Sequence, residues 1–259
     1  MNYVDTHCHL YDEAFDADRD EAVQRAMDAG VGTMLLPDID SHSTPRLDAL
    51  WEAHPAHFHA MAGLHPTSVG DDYERELEHV RRRLQNPAKS FCAVGEVGMD
   101  LYWDRTYEEQ QRDALRTQLR WADEMGLPVC LHIRKAHNEV FGLLREMNKG
   151  RWRGVMHCFG GSVQEAQRAV EMGFHLGIGG VVTFKNATMA EVAKAVPLQS
   201  LLLETDAPYL TPAPHRGKRN ESAYIPIIAQ RIAEVRGIRV EEVAETTTAS
   251  ACGLFGLAL

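Results

Sequence analysis

Short apolar stretches alternate with longer amphipathic stretches along most of the chain. Eight of the short stretches are rich in apolar, β-branched or small residues, which is typical of strands buried in a parallel sheet. They cover residues 3–10, 32–39, 58–65, 91–98, 128–133, 154–159, 174–182 and 200–205. Strands that alternate in this way with helical segments predict repeated βα units.

The longer stretches carry the signals of helices. Helical periodicity is predicted over residues 18–29, 108–125, 162–172, 223–236 and 240–254. Gly30, Gly126 and Gly173 directly follow the first three of these segments, where a glycine suits the end of a helix. No linker rich in proline or serine divides the chain, so we predict a single domain over residues 1–259.

Eight βα units in 259 residues predict a single-domain TIM (β/α)₈ barrel in the α/β class. An open, doubly wound sheet would show the same alternation of strands and helices. Its usual phosphate-binding signature, GxGxxG after the first strand, is absent here. Histidines follow the first strand instead, which favours the barrel.

Composition narrows the class of protein. Hydrophobic residues make up 44% and charged residues 25% of the chain, as in ordinary globular domains. The net charge of -10 opposes broad adsorption to nucleic acid but leaves room for a local basic pocket. The polar start of the chain, the lack of a long apolar run and the five unpaired cysteines predict a cytoplasmic, reduced protein without a membrane segment, and we expect a monomer.

Residues able to bind a metal fall at the predicted carboxyl ends of the strands, where TIM barrels carry their active sites. They are His7, His9, His65, Glu96, His132, His157 and Asp206. Asp5, His7 and His9 are spaced by two, so their side chains share one face of a strand, and Cys8 faces the other way. A single histidine at a strand end is more often structural, but the joint placement favours a site for zinc, manganese or a related ion.

The candidates outnumber the ligands of one tetrahedral ion, which favours two divalent ions that share a ligand. Glu96 follows Gly95 and is the natural bridge between them. Asp206 could act both as a ligand and as a general base, so we expect Glu96 and Asp206 to be catalytic. Glu204 is expected to orient a metal-bound water or a ligand histidine. Asp5 is expected to steady His7 or His9 rather than to bind metal.

Cationic residues accompany this set and indicate phosphate recognition. Arg134 comes two residues after His132, and Lys218 lies in the basic loop of residues 215–220. An ordinary solvated basic loop remains the alternative. Three aromatic residues after the fourth strand either stack on nucleobases or pack internally, and these are Tyr102, Trp103 and Tyr107.

These residues lie in motifs that resemble the TatD family of metal-dependent deoxyribonucleases, within the amidohydrolase-like superfamily of TIM barrels. The matching motifs are Asp5-Thr6-His7-Cys8-His9, Gly63-Leu64-His65-Pro66, Gly95-Glu96-Val97-Gly98-Met99-Asp100, Leu131-His132, His157-Cys158-Phe159-Gly160-Gly161, Glu204-Thr205-Asp206-Ala207-Pro208-Tyr209-Leu210 and Arg216-Gly217-Lys218-Arg219-Asn220-Glu221. The family commonly has Ser-Arg-Asp where this chain has Ile133-Arg134-Lys135, and a proline at Ser222. The metal set is therefore intact, whereas the rim differs.

The resemblance implies two divalent ions, of zinc, manganese or magnesium. Their ligands would be His7, His9, Glu96, His132, His157 and Asp206. Glu96 would replace the carboxylated lysine of many related barrels, and His65 would lie in the substrate pocket. The implied activity is cleavage of phosphodiester bonds, in DNA or a related substrate, by attack of metal-activated water. Two alternatives remain open: hydrolysis of a small-molecule amide or ester on the same barrel, and a non-catalytic barrel that binds metal or a partner.

Overall fold

Eight parallel strands form one sheet in the order of the sequence. The computed structural model describes residues 1–147, 152–185 and 188–258. The strands are β1 (Tyr3–Asp5), β2 (Val31–Leu36), β3 (Phe58–Ala62), β4 (Ala93–Asp100), β5 (Val129–Arg134), β6 (Gly154–Met156), β7 (Phe174–Ile178) and β8 (Leu201–Leu203). The predicted TIM barrel is confirmed.

The first and last strands meet just beyond their carboxyl ends. The backbone N–H of Thr6 donates to the carbonyl of Leu203 at 3.0 Å, and that of Asp206 donates to the carbonyl of His7 at 2.9 Å. Cys8 forms a parallel bridge with Ala207. We call residues 6–9 and 203–207 the seam, because they close the barrel between β1 and β8.

The helices pack around the sheet. They are α1 (Arg19–Asp28), α2 (Thr44–Ala53), α3 (Tyr73–Leu84), α4 (Glu108–Met125), α5 (His137–Glu146), α6 (Val163–Glu171), α7 (Met189–Ala195), α8 (Ile225–Arg236) and α9 (Val240–Phe255). The predicted helix over residues 108–125 agrees with α4, and Gly126 ends it at a φ of 65°. Ser162 begins α6 through reciprocal hydrogen bonds with Glu165, which explains the sharp start of that helix.

Several predicted strand ends were wrong, since β1 stops at Asp5 and β8 at Leu203. The backbone groups that follow bond across the seam instead of continuing a regular ladder. Glu96 was predicted to end its strand, yet it lies inside β4. That strand continues to Asp100 because its last three residues pair with residues 132–134 of β5.

Apolar side chains fill the barrel and the space around it. A cluster inside the barrel draws residues from seven strands, namely Val4, Leu35, Met61, Ala93, Cys130, Val155 and Leu202. Leu254 and Phe255 of α9 join this cluster and close the amino-terminal end of the barrel. A larger cluster lies between the sheet and the surrounding helices. The opposite end is left for polar side chains. No helix in the described part of the chain is long and apolar enough to cross a bilayer.

Candidate metal centre

Glu96 stands at the centre of the polar side chains at the carboxyl end of the barrel. Its Oε2 lies 3.1 Å from His7 Nε2 and 3.8 Å from His9 Nε2. Its Oε1 lies 2.9 Å from His132 Nδ1, 3.4 Å from His65 Nε2 and 3.6 Å from His157 Nε2. The two oxygens of one carboxylate therefore face two different groups of imidazoles.

The backbone around Glu96 is held tightly. Its N–H donates to the carbonyl of Asp38 at 3.0 Å, and the N–H of Asp38 donates to the carbonyl of Gly95 at 3.1 Å. A Cβ at Gly98 would overlap the carbonyl oxygen of His132. Only glycine allows β4 to approach β5 this closely, which brings Glu96 and His132 together.

The seam carries the first group of donors. His7 Nε2 and His9 Nε2 lie 3.2 Å apart, and Asp206 Oδ1 lies 3.5 Å from His9 Nε2. Asp206 has a φ of 57°, a left-handed conformation that is uncommon for aspartate and turns its carboxylate into the site. His157 joins them, with its Nε2 3.7 Å from Asp206 Oδ1.

The Nδ1 atoms of His9 and His7 have hydrogen-bond partners behind the rings, which leaves the Nε2 atoms as acceptors that face the site. The Tyr11 hydroxyl donates to the carbonyl of Pro37, so it accepts from His9 Nδ1 at 2.8 Å. His7 Nδ1 lies 3.4 Å from the sulfur of Cys130. In both rings a proton on Nδ1 leaves the lone pair of Nε2 directed at the site, as a metal ligand requires.

Glu204 lies behind His157. Its Oε1 is 3.1 Å from His157 Nδ1 and accepts from the N–H of Cys158 at 2.5 Å. A side chain at Gly177 would overlap the Glu204 carboxylate, so this glycine provides the space for it. A carboxylate behind a histidine orients the ring and makes its other nitrogen a better ligand.

His132 presents the opposite nitrogen. Its Nδ1 faces Glu96, while its Nε2 donates to Asp100 Oδ2 at 3.0 Å. Asp100 is fixed in turn, because its Oδ1 accepts from the N–H of Tyr102 and its own N–H donates to Gln111. Asp100 therefore selects the His132 tautomer that leaves Nδ1 free for a metal.

His65 lies beside His132 but differs from the other histidines in its hydrogen bonding. Its Nδ1 accepts from the backbone N–H of Thr67 at 3.2 Å. The proton of the neutral ring is then on Nε2, which points toward Glu96. His65 is thus arranged as a hydrogen-bond donor to a group inside the site, in keeping with a role in the substrate pocket.

Asp5 contacts the backbone rather than the imidazoles. Its Oδ1 accepts from the N–H groups of His7 and Thr205, at 3.3 and 3.0 Å, and its Oδ2 accepts from the Thr205 hydroxyl at 2.6 Å. Asp5 therefore holds the two halves of the seam together. It steadies His7 through the main chain.

The charges of the site fit divalent cations. Within the described residues, no lysine or arginine side chain pairs with Glu96 or Asp206, although both carboxylates face inward. Burial opposes ionisation of Glu96, but His7, His65 and His157 outweigh it and hold its pKa well below the usual range. Burial also opposes the charged form of His157, yet Glu204, Glu96 and Asp206 raise its pKa to about 10. Buried anions of this kind require positive charge, which protonated His157 supplies in part and which a bound metal would supply in its place.

A cavity of about 820 Å³ opens onto these residues. It is lined by His65 and Arg134, two of the side chains predicted to bind substrate or phosphate, but not by the third, Lys218. Lys218 is exposed, and its carbonyl accepts from the hydroxyl of Thr211. Its role as a phosphate contact stays a prediction.

The other residues of the basic loop make structural contacts. Arg219 pairs with Asp18, and the guanidinium of Arg216 lies 4.0 Å from the ring centre of Phe184. Asn220 is buried, and its amide donates to the carbonyls of Thr205 and Tyr209. The loop therefore positions the backbone on either side of Asp206.

Several contributors escaped the sequence analysis. Tyr11 and Asp100 contact His9 and His132, and each lies an even number of residues from a predicted ligand, His9 for Tyr11 and Glu96 for Asp100. That spacing was a usable signal. Cys130 gave none, since it was expected only to fill the core.

Two buried glutamines of α4 also escaped notice. The side-chain amide of Gln118 accepts from the N–H of Leu64, next to His65, and donates to the carbonyl of Leu64. Gln111 forms the same pair of hydrogen bonds with the backbone of Asp100. Their spacing of seven places both on one helix face, where buried glutamines are unusual. Two glutamines at this spacing on one helix face could have been recognised in the sequence.

A (β/α)₈ barrel with histidines and carboxylates gathered at its carboxyl end defines the class of metal-dependent hydrolases. The family model described as TatD related DNase matches residues 4–256. The chain belongs to this family, and the predicted resemblance is confirmed.

Individual relatives agree. The chain is 37% identical over 252 residues to the metal-dependent hydrolase YabD of Bacillus subtilis, and the aligned region covers 97% of this chain and 98% of YabD. It is 34% identical over 255 residues to the 3'-5' ssDNA/RNA exonuclease TatD of Pantoea ananatis, with 96% and 97% covered. The crystal structure of YjjV, a TatD homologue from Escherichia coli, superposes with a TM-score of 0.92 at 33% identity, covering 99% and 98% of the two chains. The predicted metal-dependent hydrolase is thereby confirmed at the level of the family.

Proposed function

We propose that this protein cleaves phosphodiester bonds of nucleic acid with two divalent ions bound on either side of Glu96. The observation that carries the proposal is the division of the Glu96 carboxylate between two groups of imidazoles. Oε2 faces His7 and His9, and Oε1 faces His132, with His65 and His157 at longer distances. A carboxylate shared in this way is the bridging ligand of a two-ion site.

The remaining ligands divide between the two positions. His7, His9 and Asp206 would hold one ion, and His132 would hold the other. His157 lies between the two positions, because its Nε2 is 3.6 Å from Glu96 Oε1 and 3.7 Å from Asp206 Oδ1. Zinc, manganese or magnesium fits the nitrogen and oxygen donors. Ions bound here would polarise a phosphoryl oxygen and favour deprotonation of water.

The side chains around the ligands have distinct tasks. His65 directs Nε2–H into the site and can donate to a phosphate oxygen. Arg134 lines the same cavity and offers its guanidinium to phosphate. Burial opposes ionisation of Asp206, but His157, His9 and His7 keep its pKa below the usual value, so its carboxylate can accept a proton from the attacking water.

The names of relatives support a nucleic-acid substrate. Proteins of Pantoea ananatis and Erwinia amylovora that match almost the whole chain are named 3'-5' ssDNA/RNA exonucleases. Hydrolysis of a small-molecule amide or ester has no comparable support, since the lactonase and dipeptidase structures that superpose are at most 15% identical and share the fold alone.

Replacement of Asp206 by asparagine tests the proposal. We expect Asp206→Asn to lower kcat on a single-stranded oligonucleotide by about 10²- to 10⁴-fold, the range for loss of a general base. The wild type and the variant are loaded with Mn²⁺, Zn²⁺ or Mg²⁺ and tested on oligonucleotides, a cyclic amide and a lactone. Bound metal is measured in parallel.

The matched control is Asp20→Asn, because Asp20 lies on α1 with a side chain that is 87% exposed. This control should cleave the oligonucleotide at the wild-type rate. Turnover by the wild type of the amide or lactone alone would reject the proposed substrate class. Unchanged oligonucleotide cleavage by Asp206→Asn would reject the role of the carboxylate.

A further inference from the structure

Two large aromatic side chains are exposed at the rim of the cavity. Trp103 is 70% exposed and Tyr102 is 51% exposed, although both follow the buried Leu101 at the end of β4. Their rings meet edge to face, with centroids 4.9 Å apart at an angle of 85°. Trp103 also lines the cavity that contains Glu96 and His132. An exposed tryptophan beside a binding site is costly to leave in water and marks a surface for a ligand.

Arg134 adds a positive charge to this surface. Its guanidinium carbon lies 4.0 Å from the ring centre of Tyr102 and 5.0 Å from that of Trp103. Among the described residues no carboxylate forms an ion pair with Arg134. Burial opposes ionisation of Asp100, which is close enough for the charge of Arg134 to help lower its pKa, but its carboxylate accepts from His132 and from the N–H of Tyr102. The guanidinium is therefore held in place by the aromatic rings and keeps its charge for an anion.

We propose that Trp103, supported by Tyr102 and Arg134, forms a stacking subsite for the nucleobase next to the scissile phosphate. The inference rests on the proposed function, which places the phosphate between Glu96 and Arg134. A nucleic acid carries a flat apolar base beside each phosphate, and this combination matches an aromatic face next to a guanidinium.

The subsite favours single strands over the interior of a duplex. In a duplex both faces of an internal base are covered by its neighbours, so only an unpaired or a terminal base can lie against Trp103. The net charge of -10 makes stacking important, since general attraction between this protein and phosphates is weak. The bases then supply affinity that the backbone charge does not.

A test pairs a protein change with a substrate change. Trp103→Ala, Trp103→Phe and the wild type are assayed on a single-stranded oligonucleotide and on the same oligomer with an abasic residue beside the scissile phosphate. We expect Trp103→Ala to raise KM for the normal oligomer about 5- to 150-fold, the range of stacking on one base, with little change in kcat. Trp103→Phe should retain most of the affinity.

The abasic oligomer separates stacking from a general loss of structure. The wild type should lose affinity for it by the same factor, and Trp103→Ala should show no further loss. Met27→Ala is the matched control, because Met27 is an exposed apolar residue of α1 outside the cavity, and its KM should equal that of the wild type. An equal KM for wild type and Trp103→Ala on the normal oligomer would overturn the subsite.

A binding measurement tests the stacking subsite independently of the proposed function. Affinity of the Mn²⁺-loaded proteins for a fluorescent oligomer is measured by anisotropy, which needs no turnover. Failure of the wild type to cleave any phosphodiester, with affinity still dependent on Trp103 and on the base, would reject the function and retain the subsite. Affinity that depends neither on Trp103 nor on the base would reject the subsite.

Discussion

The two sides of Glu96 are built differently. On the seam side, the imidazoles of His7 and His9 are at most 6% exposed, and Asp206 adds a carboxylate. On the opposite side, which we call the open side, the side chains of His65 and His132 are 13% and 18% exposed. The seam side offers more donors in a drier setting. The open side offers fewer donors and faces the cavity.

The supports of the two sides differ as well. Tyr11 and Cys130 lie behind the seam-side histidines, and Asp5 ties their backbone to Thr205 on the other half of the seam. The open side depends on a single carboxylate, Asp100, behind its ligand histidine. Orientation from behind strengthens metal binding. Of the two ions proposed above, the one on the seam side would be held more firmly, and the one on the open side would exchange more readily and contact the substrate.

Glu96 belongs to both sides, so its replacement should have the largest effect. We expect Glu96→Gln to lower kcat on an oligonucleotide by at least about 10³-fold, since the variant loses the shared ligand of both ions. Metal content per chain should fall below that of the wild type. The control is Glu52→Gln, because Glu52 lies on α2 with a side chain 69% exposed. Two tightly bound ions in Glu96→Gln would contradict the bridging geometry.

Asp100 tests the open side alone. We expect Asp100→Asn to weaken the more weakly bound ion by about 10- to 100-fold, because the amide no longer selects the His132 tautomer. The tightly bound ion should be unaffected. Titration of metal-free protein with Mn²⁺ measures both affinities. Equal weakening of both ions would show that the two sides are not independent.

Tyr11 tests the seam side and should have the smallest effect. Tyr11→Phe removes the hydroxyl that accepts from His9 Nδ1 but keeps the ring. The variant also loses the hydroxyl's bond to the carbonyl of Pro37, but only the bond to His9, of about 1 kcal/mol, should affect the tightly bound ion, weakening it about fivefold. Circular dichroism should show an unchanged fold. A loss greater for the weakly bound ion would reverse the assignment of the two sides.

Much of the fold was predictable from the sequence because buried parallel strands and capped helices have strong local patterns. Gly126 ended its predicted helix where the structure ends it. The ends of β1 and β8 were not predictable, since their polar residues alternate as in a strand but bond across the seam to residues about 200 positions away. Local periodicity cannot detect such partners.

The candidate site was predictable in residue type but not in geometry. The sequence singled out His132, yet only its contact with Asp100 shows that it presents Nδ1 rather than Nε2. The basic loop of residues 215–220 indicated phosphate recognition, but the structure places Arg219 of this loop against Asp18. Trp103 left two interpretations open, and its exposure favours the surface over the core. Each of these outcomes depends on a neighbour distant in sequence.

The seam couples metal binding to a contact between distant parts of the chain. His7 and Asp206 come from opposite ends of the barrel sequence, and their meeting closes one of the largest loops in the chain. Formation of such a contact carries a large loss of chain entropy. An ion that bound only the closed form would offset part of that loss, so metal binding and closure of the barrel would be thermodynamically linked. The metal would then stabilise the closed barrel as well as take part in its chemistry.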